Sequence, residues 1–374
     1  MKFKIQQKVF HNALTKSKRA ISTSNTMPIL SGVLLEADEE SNLILTATDL
    51  EIGIVLKLGA DVEKPGKIVI PGDELSSIIR ELPEGILEFS VDQSEYSAEI
   101  ITESSEFLLR GFKPEEFPEL PEVDITTSFS LEADRFKDMV DKVKFSCSKK
   151  ASEPGLTGAL LTADTDSITM VATNTFRMAY YKREMELPDV EEKSRAIIPQ
   201  NTLSEVSRLI DDEDDEIYVE MGSNHCRFSC GDVIITSRLI DGKFPNYKQV
   251  MPDDYSAEVN ISRRGLRQAV KRVSTIARLD SNVIELDFDE DLLTIESSAS
   301  EKGHGKEEVR INFTGQPQQS IKIDASYMMD GLKVLDEESV RLELIGKINP
   351  ITMKNPGSDE YIYLIMPIRP DSNE

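Results

Sequence analysis

An α+β architecture built from three repeats of one domain is the fold class that the sequence predicts, on three observations. Phe3, Phe10 and Leu14 return as Phe129, Phe136 and Val140, 126 residues on, and as Val259, Leu266 and Val270 after a further 130. A strand-then-helix landmark recurs likewise in KIVIPGDELSSIIREL, AIIPQNTLSEVSRLI and IKIDASYMMDGLKVL. Between these lie alternating or β-rich runs such as NLILTATDLEIGIVLK, SITMVATNTFRMAYYK, EIYVEMG, DVIITSRL and EYIYLIMPI. Hairpin-like punctuation at Asp92-Gln93, Gly222-Ser223 and Asp289-Glu290-Asp291 favours antiparallel pairing over βαβ crossovers. The predicted domains are residues 1–126, 127–253 and 254–374, each with two helices among six to eight strands. PEEFPELPEV and KFPNYKQVMP read as extended, Pro-bearing connectors near the boundaries.

Each third opens on a short strand-like start (FKI, FSL, VNI) that runs into a helical pattern. In the second landmark, Pro71, Pro199 and Asp324 occupy one position. Leu75, Leu203 and Met328 follow four residues on, and Leu82, Ile210 and Leu335 eleven on. Those spacings return to one helical face. Asp73 and Asn201 are the expected N-caps of the first two of these helices.

The chain of 374 residues is 39% hydrophobic and 30% charged, which suits a globular protein with a strongly solvated surface. Its 43 Lys and Arg against 68 Asp and Glu give a net charge of −25, which, spread evenly, would repel nucleic acid. The charge is not spread evenly. Segments 10–21, 135–150 and 262–278, the first helix of each third, hold 15 basic and 2 acidic groups in 45 residues, net +13. The remaining 329 residues carry net −38.

At 100° per residue, Leu266, Val270, Val273 and Ala277 form a buried stripe, and Arg264, Arg267, Lys271, Arg272 and Arg278 lie on or beside the opposite face. Phe10, Leu14, Ser17 and Ile21 face inward while Lys16 and Arg19 face out, and Lys142 and Lys149 are expected to face out in the second third. One basic helix face is usually only solvated. Three equivalent ones in an acidic chain are the footprint of a surface that follows a phosphate backbone. No helix-turn-helix, zinc-finger spacing or aromatic stacking platform accompanies it, so sequence-independent contact is expected.

Motifs for catalysis and metal binding are mostly absent. Cys147, Cys226 and Cys230 suit structural thiols in a reducing compartment, and CRFSCGDVII reads as a strand pair rather than a zinc site. The run 211–216 lacks the Gly and spaced ligands of an EF-hand loop and reads as a solvated turn. GHGKEE, with His304 between Gly303 and Gly305, reads as a loop without phosphate-binding context. MKFKIQQKVF lacks the apolar core of a signal peptide, and no apolar run approaches the ~18–20 residues of a membrane span. A cytoplasmic, non-enzymatic protein without cofactor or metal is expected. Two rivals remain: an acidic repeat scaffold that binds only proteins, and a hydrolase built from scattered carboxylates such as Asp49, Glu51 and Asp164.

The chain resembles the bacterial DNA polymerase III beta subunit, the sliding clamp. The matching residues run end to end: the MKF start, MPIL (27–30) followed by Gly32, LTATDLE (45–51), LPEG (82–85), VAT (171–173) followed by Arg177, SRLIDGKFPNY (237–247), SY (326–327) and MPIR (366–369). Individually weak, they are specific in this order and spacing.

The resemblance implies a homodimeric ring that encircles duplex DNA without regard to sequence and tethers the replicative polymerase for processivity. Lys16, Arg19, Lys142, Lys149, Lys150, Arg264, Arg267 and Lys271 become the expected DNA-binding residues. It also implies a peptide-binding pocket that receives a short motif from DNA polymerase III alpha subunit, the clamp loader, repair polymerases and other partners. The matching positions are Leu156, Thr173, Thr175, Phe176, Arg177, Met178, Pro245, Gln249, Val250, Tyr327, Ile348, Pro350, Leu364, Ile365, Met366, Pro367, Ile368 and Arg369. From the residues alone, Leu364, Ile365, Met366 and Ile368 read first as a last core strand. Phe107 and Ile276 are the implied dimer contacts, joining the first domain of one chain to the third of the other. There are departures: Thr175-Phe176-Arg177 stands where many members read GHR, Gln249 where Arg is frequent, and Ser24 where a relative has a DNA-contacting Arg.

Overall fold

Each recurring apolar triplet sits where a strand hands over to a helix. Six α-helices form among the described residues: α1 (Gln7–Ser17), α2 (Gly72–Glu81), α3 (Ala133–Val143), α4 (Gln200–Leu209), α5 (Arg263–Ala277) and α6 (Ala325–Val334). The strands Lys2–Gln6, Ile125–Glu132 and Ala257–Ser262 lead directly into α1, α3 and α5. Phe3, Phe129 and Val259 on those strands, and Phe10, Phe136, Leu266, Leu14, Val140 and Val270 on the helices, are all at most 1% exposed. Strands Gly66–Pro71, Ser194–Pro199 and Ile321–Asp324 lead into α2, α4 and α6 in the same way, and Leu75, Leu203 and Met328 are fully buried. The structure is a computed structural model that describes residues 1–22, 26–211, 215–300, 302–315 and 320–368. Ser24, Arg369 and residues 212–214 of the acidic run 211–216 lie outside the described residues.

The described residues form two compact units. The first comprises residues 1–137, 188–194 and 201–239. It contains a five-stranded sheet ordered Asp61–Lys64, Lys2–Gln6, Ile86–Asp92, Ser97–Ile101, Glu106–Arg110. Its eight-stranded sheet runs Ile125–Glu132, Glu216–Gly222, His225–Cys230, Val233–Arg238, Ile52–Gly59, Asn42–Thr48, Gly32–Ala37, Gly66–Pro71. The second unit comprises 138–187, 195–200 and 240–374. Its nine-stranded sheet is ordered Ser194–Pro199, Gly158–Asp164, Ser167–Thr173, Arg177–Glu184, Tyr361–Ile365, Ile351–Lys354, Ser339–Leu344, Ala257–Ser262, Asn312–Gly315. A four-stranded sheet, Gly303–Arg310, Leu292–Ala299, Val283–Phe288, Ile321–Asp324, completes it.

The large sheets cross the repeat boundaries. Val233–Arg238 of the central third pairs with Ile52–Gly59 of the first, and Arg177–Glu184 pairs with Tyr361–Ile365 of the last. These ladders are antiparallel, as the hairpin punctuation implies. In the first unit α1 packs on α2, and Phe3 stacks on Phe89 at 4.9 Å while Phe10 meets both rings edge-on at 6.1 Å. In the second, α5 packs on α6 and on the four-stranded sheet.

Three local expectations are corrected. Asp73 and Asn201 are not N-caps, because the strand runs straight into α2 at Gly72 and into α4 at Gln200; Asp73 instead meets Lys18 at 2.6 Å. In α6, by contrast, the Asp324 carboxylate caps by accepting from the Ser326 amide at 2.7 Å. GHGKEE is not a loop but part of the edge strand Gly303–Arg310, paired in register with Leu292–Ala299. Gly305 suits it because a Cβ there would stand 3.2 Å from Ile276. Among the described residues the first and last thirds hold nine strands each, not six to eight, because short strands such as Asp61–Lys64 and Asn312–Gly315 extend the sheets.

Truncation of Phe10 removes one member of a closed three-ring cluster. Phe10→Ala is expected to cost about 3–5 kcal/mol, measured by urea unfolding.

Candidate functional site: a cationic helix face and an apolar groove

Helix α5 is the clearest charged surface. Ser262 caps it, its hydroxyl accepting from the Gly265 amide at 3.3 Å. Leu266, Ala269, Val270, Val273, Ser274 and Ala277 are buried, so the opposite side is left to Arg264, Arg267, Lys271, Arg272 and Arg278, all exposed. Arg272 is held by a bidentate pair to Glu307, both contacts 2.7 Å, which raises its pKa. Arg264, Arg267, Lys271 and Arg278 make no ion pair to a carboxylate among the described residues. Lys271 and Arg278 continue into a groove between α5 and α6 that Ser326, Asp330 and Lys333 also line.

The cations of the first third are differently placed. Lys16 pairs with Asp211, and Arg19 with Glu205 at 3.2 Å. These contacts are partly exposed, and such pairs contribute about 0–1 kcal/mol.

Lys142 does not face outward as expected. It is 8% exposed, and its ammonium lies 2.9 Å from Asp138 and also pairs with Asp336. The Tyr181 ring covers it at 5.8 Å, and the Tyr181 hydroxyl donates to Asp138 at 3.2 Å. Burial opposes its charge, yet hydrogen bonds to Asp336 and Asp138 outweigh that and raise its pKa. The helical wheel missed this because Tyr181, on the strand Arg177–Glu184, and Asp336 close over the Lys142 ammonium from outside the helix. Lys149 and Lys150, beyond the 3-10 turn Lys144–Ser146, are exposed.

Part of the expected pocket set shares one end of adjacent strands. Arg177, Ile365 and Ile351 stand opposite one another across three neighbouring strands, so the turn 174–176, the residues after Ile365 and Pro350 lie at the same sheet end. The turn is tightly specified. The Asn174 carboxamide oxygen accepts from the Phe176 and Arg177 amides at 3.1 and 3.0 Å, and the Thr173 hydroxyl donates to the Arg177 carbonyl at 2.7 Å. Thr175 takes a φ of 75°, a conformation that strains a β-branched residue. The Met366 amide donates to the Phe176 carbonyl at 2.9 Å, which ties the tail to the turn.

Arg177 is the anchor. It is 9% exposed, with its guanidinium between the Phe145 and Tyr327 rings at 5.2 and 4.7 Å. It donates to Asp330 on α6 at 2.7 Å and to the Phe145 carbonyl at 2.5 Å. Burial opposes the charge of Asp330, but hydrogen bonds from Lys333 and Arg177 outweigh it and hold the carboxyl below its ordinary range. The Tyr363 hydroxyl donates to the Tyr327 carbonyl at 3.0 Å. Gly331 permits this approach, since a Cβ there would lie 2.5 Å from the Tyr363 ring.

Met178 and Leu364, with Val171, form a buried floor on which Tyr180, Phe244, Tyr247, Met251 and Ile362 pack. The two readings of the tail therefore divide. Leu364 and Ile365 belong to the core strand Tyr361–Ile365, whereas Met366 and Pro367 are half-buried and Ile368, its amide donating to the Lys322 carbonyl at 2.7 Å, is 40% exposed. Leu156 and Thr173 are buried, while Thr175, Phe176, Pro245, Gln249, Val250 and Ile348 are exposed, with Tyr327 and Pro350 half-buried. Phe244 and Tyr247 were not anticipated. Their signal was the pair of aromatic residues inside the connector KFPNYKQVMP, read only as an extended link.

Phe107 lies on the edge strand Glu106–Arg110, 39% exposed, beside Leu108 at 67%. Ile276 packs under the edge strand Gly303–Arg310, close to Gly305. The carboxylates of the hydrolase alternative serve local structure: Asp49 accepts from the Glu51 and Ile52 amides at 2.9 and 2.8 Å, Glu51 meets Arg238 at 3.5 Å, and Asp164 accepts from the Thr165 amide at 3.0 Å. Cys226 and Cys230 are buried on one strand, and no group of three or more His, Cys, Asp or Glu able to hold a metal occurs among the described residues.

Three family models cover nearly the whole chain: DNA polymerase III beta subunit N-terminal domain over residues 1–121, central domain over 130–246 and C-terminal domain over 248–369. The chain belongs to the DNA polymerase III beta subunit family. It is 32% identical to the beta sliding clamp of Staphylococcus epidermidis over 378 residues, covering 99% of each chain. The crystal structure of the DNA polymerase III subunit beta from Pseudomonas aeruginosa superposes with a TM-score of 0.94 at 28% identity, covering 99% of this chain and 100% of that one. The sliding clamp from Bacillus subtilis gives a TM-score of 0.94 at 26% identity, covering 99% of both. The three-repeat α+β clamp fold is therefore the fold of this chain. It is a sliding clamp, a processivity factor and not a catalytic subunit. No described helix is long and apolar enough to cross a membrane.

The Arg177–Asp330 tether yields a pH-dependent prediction. The folded-state pKa of Asp330 is depressed, so its stabilisation is complete above the unfolded value near 4 and is lost as pH falls through the lower folded value. Asp330→Asn should cost about 1.5–3 kcal/mol at neutral pH. In urea unfolding at a series of pH values, the gap to the parent should close on acidification.

Proposed function

We propose that two copies of this chain close into a ring around duplex DNA, hold it through sequence-independent phosphate contacts and tether a polymerase through the apolar groove. The observation that carries this reading is the exposed cationic row Arg264, Arg267, Lys271 and Arg278 on α5, without a carboxylate partner among the described residues, in a chain of net charge −25. Such a row attracts a polyanion by counterion release, while the acidic remainder repels it elsewhere. Lys149 and Lys150 extend the contact set, with Lys16 and Arg19 by exchange of their partners. Lys142 does not belong to it.

The domains of this ring are residues 1–126, 127–253 and 254–374. Support for dimerisation comes from two open sheet edges, Glu106–Arg110 with Phe107 and Leu108, and Gly303–Arg310 with Ile276 behind it. Open edges invite pairing with another chain. Joining the first edge of one copy to the second edge of its partner, twice, closes a two-fold assembly. The groove takes a short apolar segment from DNA polymerase III alpha subunit, the clamp loader or another polymerase. Met178 and Leu364 form its floor, Phe176, Pro245, Val250 and Ile368 its accessible rim, and Thr175, Gln249 and Tyr327 its polar contacts. The setting is the cytoplasm, where the chromosome of a bacterium lies.

The electrostatic reading is tested with single alanine variants at Arg264, Arg267 and Lys271. Each should flatten the slope of log affinity for duplex DNA against log salt by about 1. Lys142→Ala should lower thermal stability and leave that slope unchanged. Parent-like slopes in all three α5 variants would contradict the contact set.

A further inference from the structure

The turn that borders the groove also touches the DNA-facing loop. The Phe176 backbone is fixed: its amide donates to Asn174 at 3.1 Å and its carbonyl accepts from the Met366 amide at 2.9 Å. Its side chain is the opposite, 52% exposed on the rim of the groove. The Lys150 ammonium stands over that ring, 5.8 Å from its centre. The loop backbone is itself held. The Lys150 amide donates to the Ser148 hydroxyl at 3.1 Å, and the Lys150 carbonyl accepts from the Glu153 amide at 3.1 Å. Arg177, one residue after Phe176, grips the Phe145 carbonyl just before this loop. Two rigid backbones therefore carry one movable contact, an ammonium on a flexible four-carbon stem resting on an aromatic face.

An ammonium cannot lie on the ring face and sit against a phosphate outside it at the same time. We propose that Lys150 and Phe176 link DNA contact to groove occupancy: a phosphate draws the ammonium off the ring and uncovers Phe176 as a wall for an apolar peptide side chain. The proposal rests on the reading that Lys150 meets DNA and that the groove takes peptides. An exposed cation–π contact of this kind is worth about a two- to fivefold change in equilibrium. By linkage, a peptide that covers the ring releases Lys150 to phosphate with the same factor. The groove then holds its partner tightest on DNA and more loosely off it.

The chain contains no Trp, so Phe176→Trp places a single indole fluorophore at the contact, and indole is the best partner for a cation. The full-length variant is saturated with a short duplex at low salt, and acrylamide quenching of the indole emission is read with and without DNA. Binding itself is followed separately by anisotropy of the labelled duplex. Quenching should rise on DNA, and the rise should disappear in Phe176→Trp/Lys150→Gln, at duplex concentrations where anisotropy shows that variant saturated. In the chain with native Phe176, a dansylated apolar–aromatic peptide should bind about two- to fivefold tighter on DNA, and Lys150→Gln should abolish the gain. Anisotropy that rises while quenching stays flat, or an equal rise with Lys150→Gln, overturns the link and leaves DNA binding standing. An uncovered ring without tighter peptide binding also overturns it. No anisotropy change in any variant overturns the DNA reading and the link with it.

Discussion

Backbone pairing between strands far apart in the sequence holds each compact unit together, and the functional surfaces follow from it. Arg177–Glu184 can pair with Tyr361–Ile365 only if the central third and the end of the chain come together. Once they do, Arg177 faces α6 and the 3-10 turn Lys144–Ser146, and the tail after Ile365 runs past the Phe176 turn. The groove is thus not a feature of one repeat. It is a by-product of a sheet that crosses a repeat boundary. The pairing of Val233–Arg238 with Ile52–Gly59 is the equivalent joint in the first unit.

Charge is organised by the same scaffold. A helix that lays one apolar stripe on a sheet must display the other side, and in α5 that side carries cations spaced along the axis. The paired cations show the other use of positive charge. Lys142 sits between Asp138 and Asp336 under a tyrosine ring, and its removal would leave two like charges near each other without the cation that offsets them. Two lysines on basic segments of one repeat family, Lys142 and Lys271, therefore differ in setting, the first enclosed in a paired site and the second exposed.

Much of this was legible in the sequence because the signals are periodic. The recurrence of Phe3, Phe129 and Val259, and of the helix positions that follow, marked buried sites directly. The cationic bias of α5 was legible because its cations stay exposed. Lys142 was misread because a wheel knows only its own helix, and the groups that enclose the ammonium, Tyr181 and Asp336, come from elsewhere in the chain. Asp73 failed as a cap because the strand enters α2 without a break. Phe244 and Tyr247 were hidden in a connector whose prolines dominated its reading. Among the groove positions, Thr173, Arg177, Met178 and Leu364 came from resemblance to sliding clamps, and no local pattern marks them. The cross-sheet register that assembles them is a long-range fact.

The central claim is topological: a closed ring holds DNA without tight contact, so retention depends on the DNA having no ends. Its most direct test is gel filtration of the loaded protein on a nicked circular duplex, before and after a single-site cut. The account predicts co-elution with the circle and release once the circle is linear, at a salt concentration where phosphate contacts alone do not hold. Equal retention on both forms would contradict it.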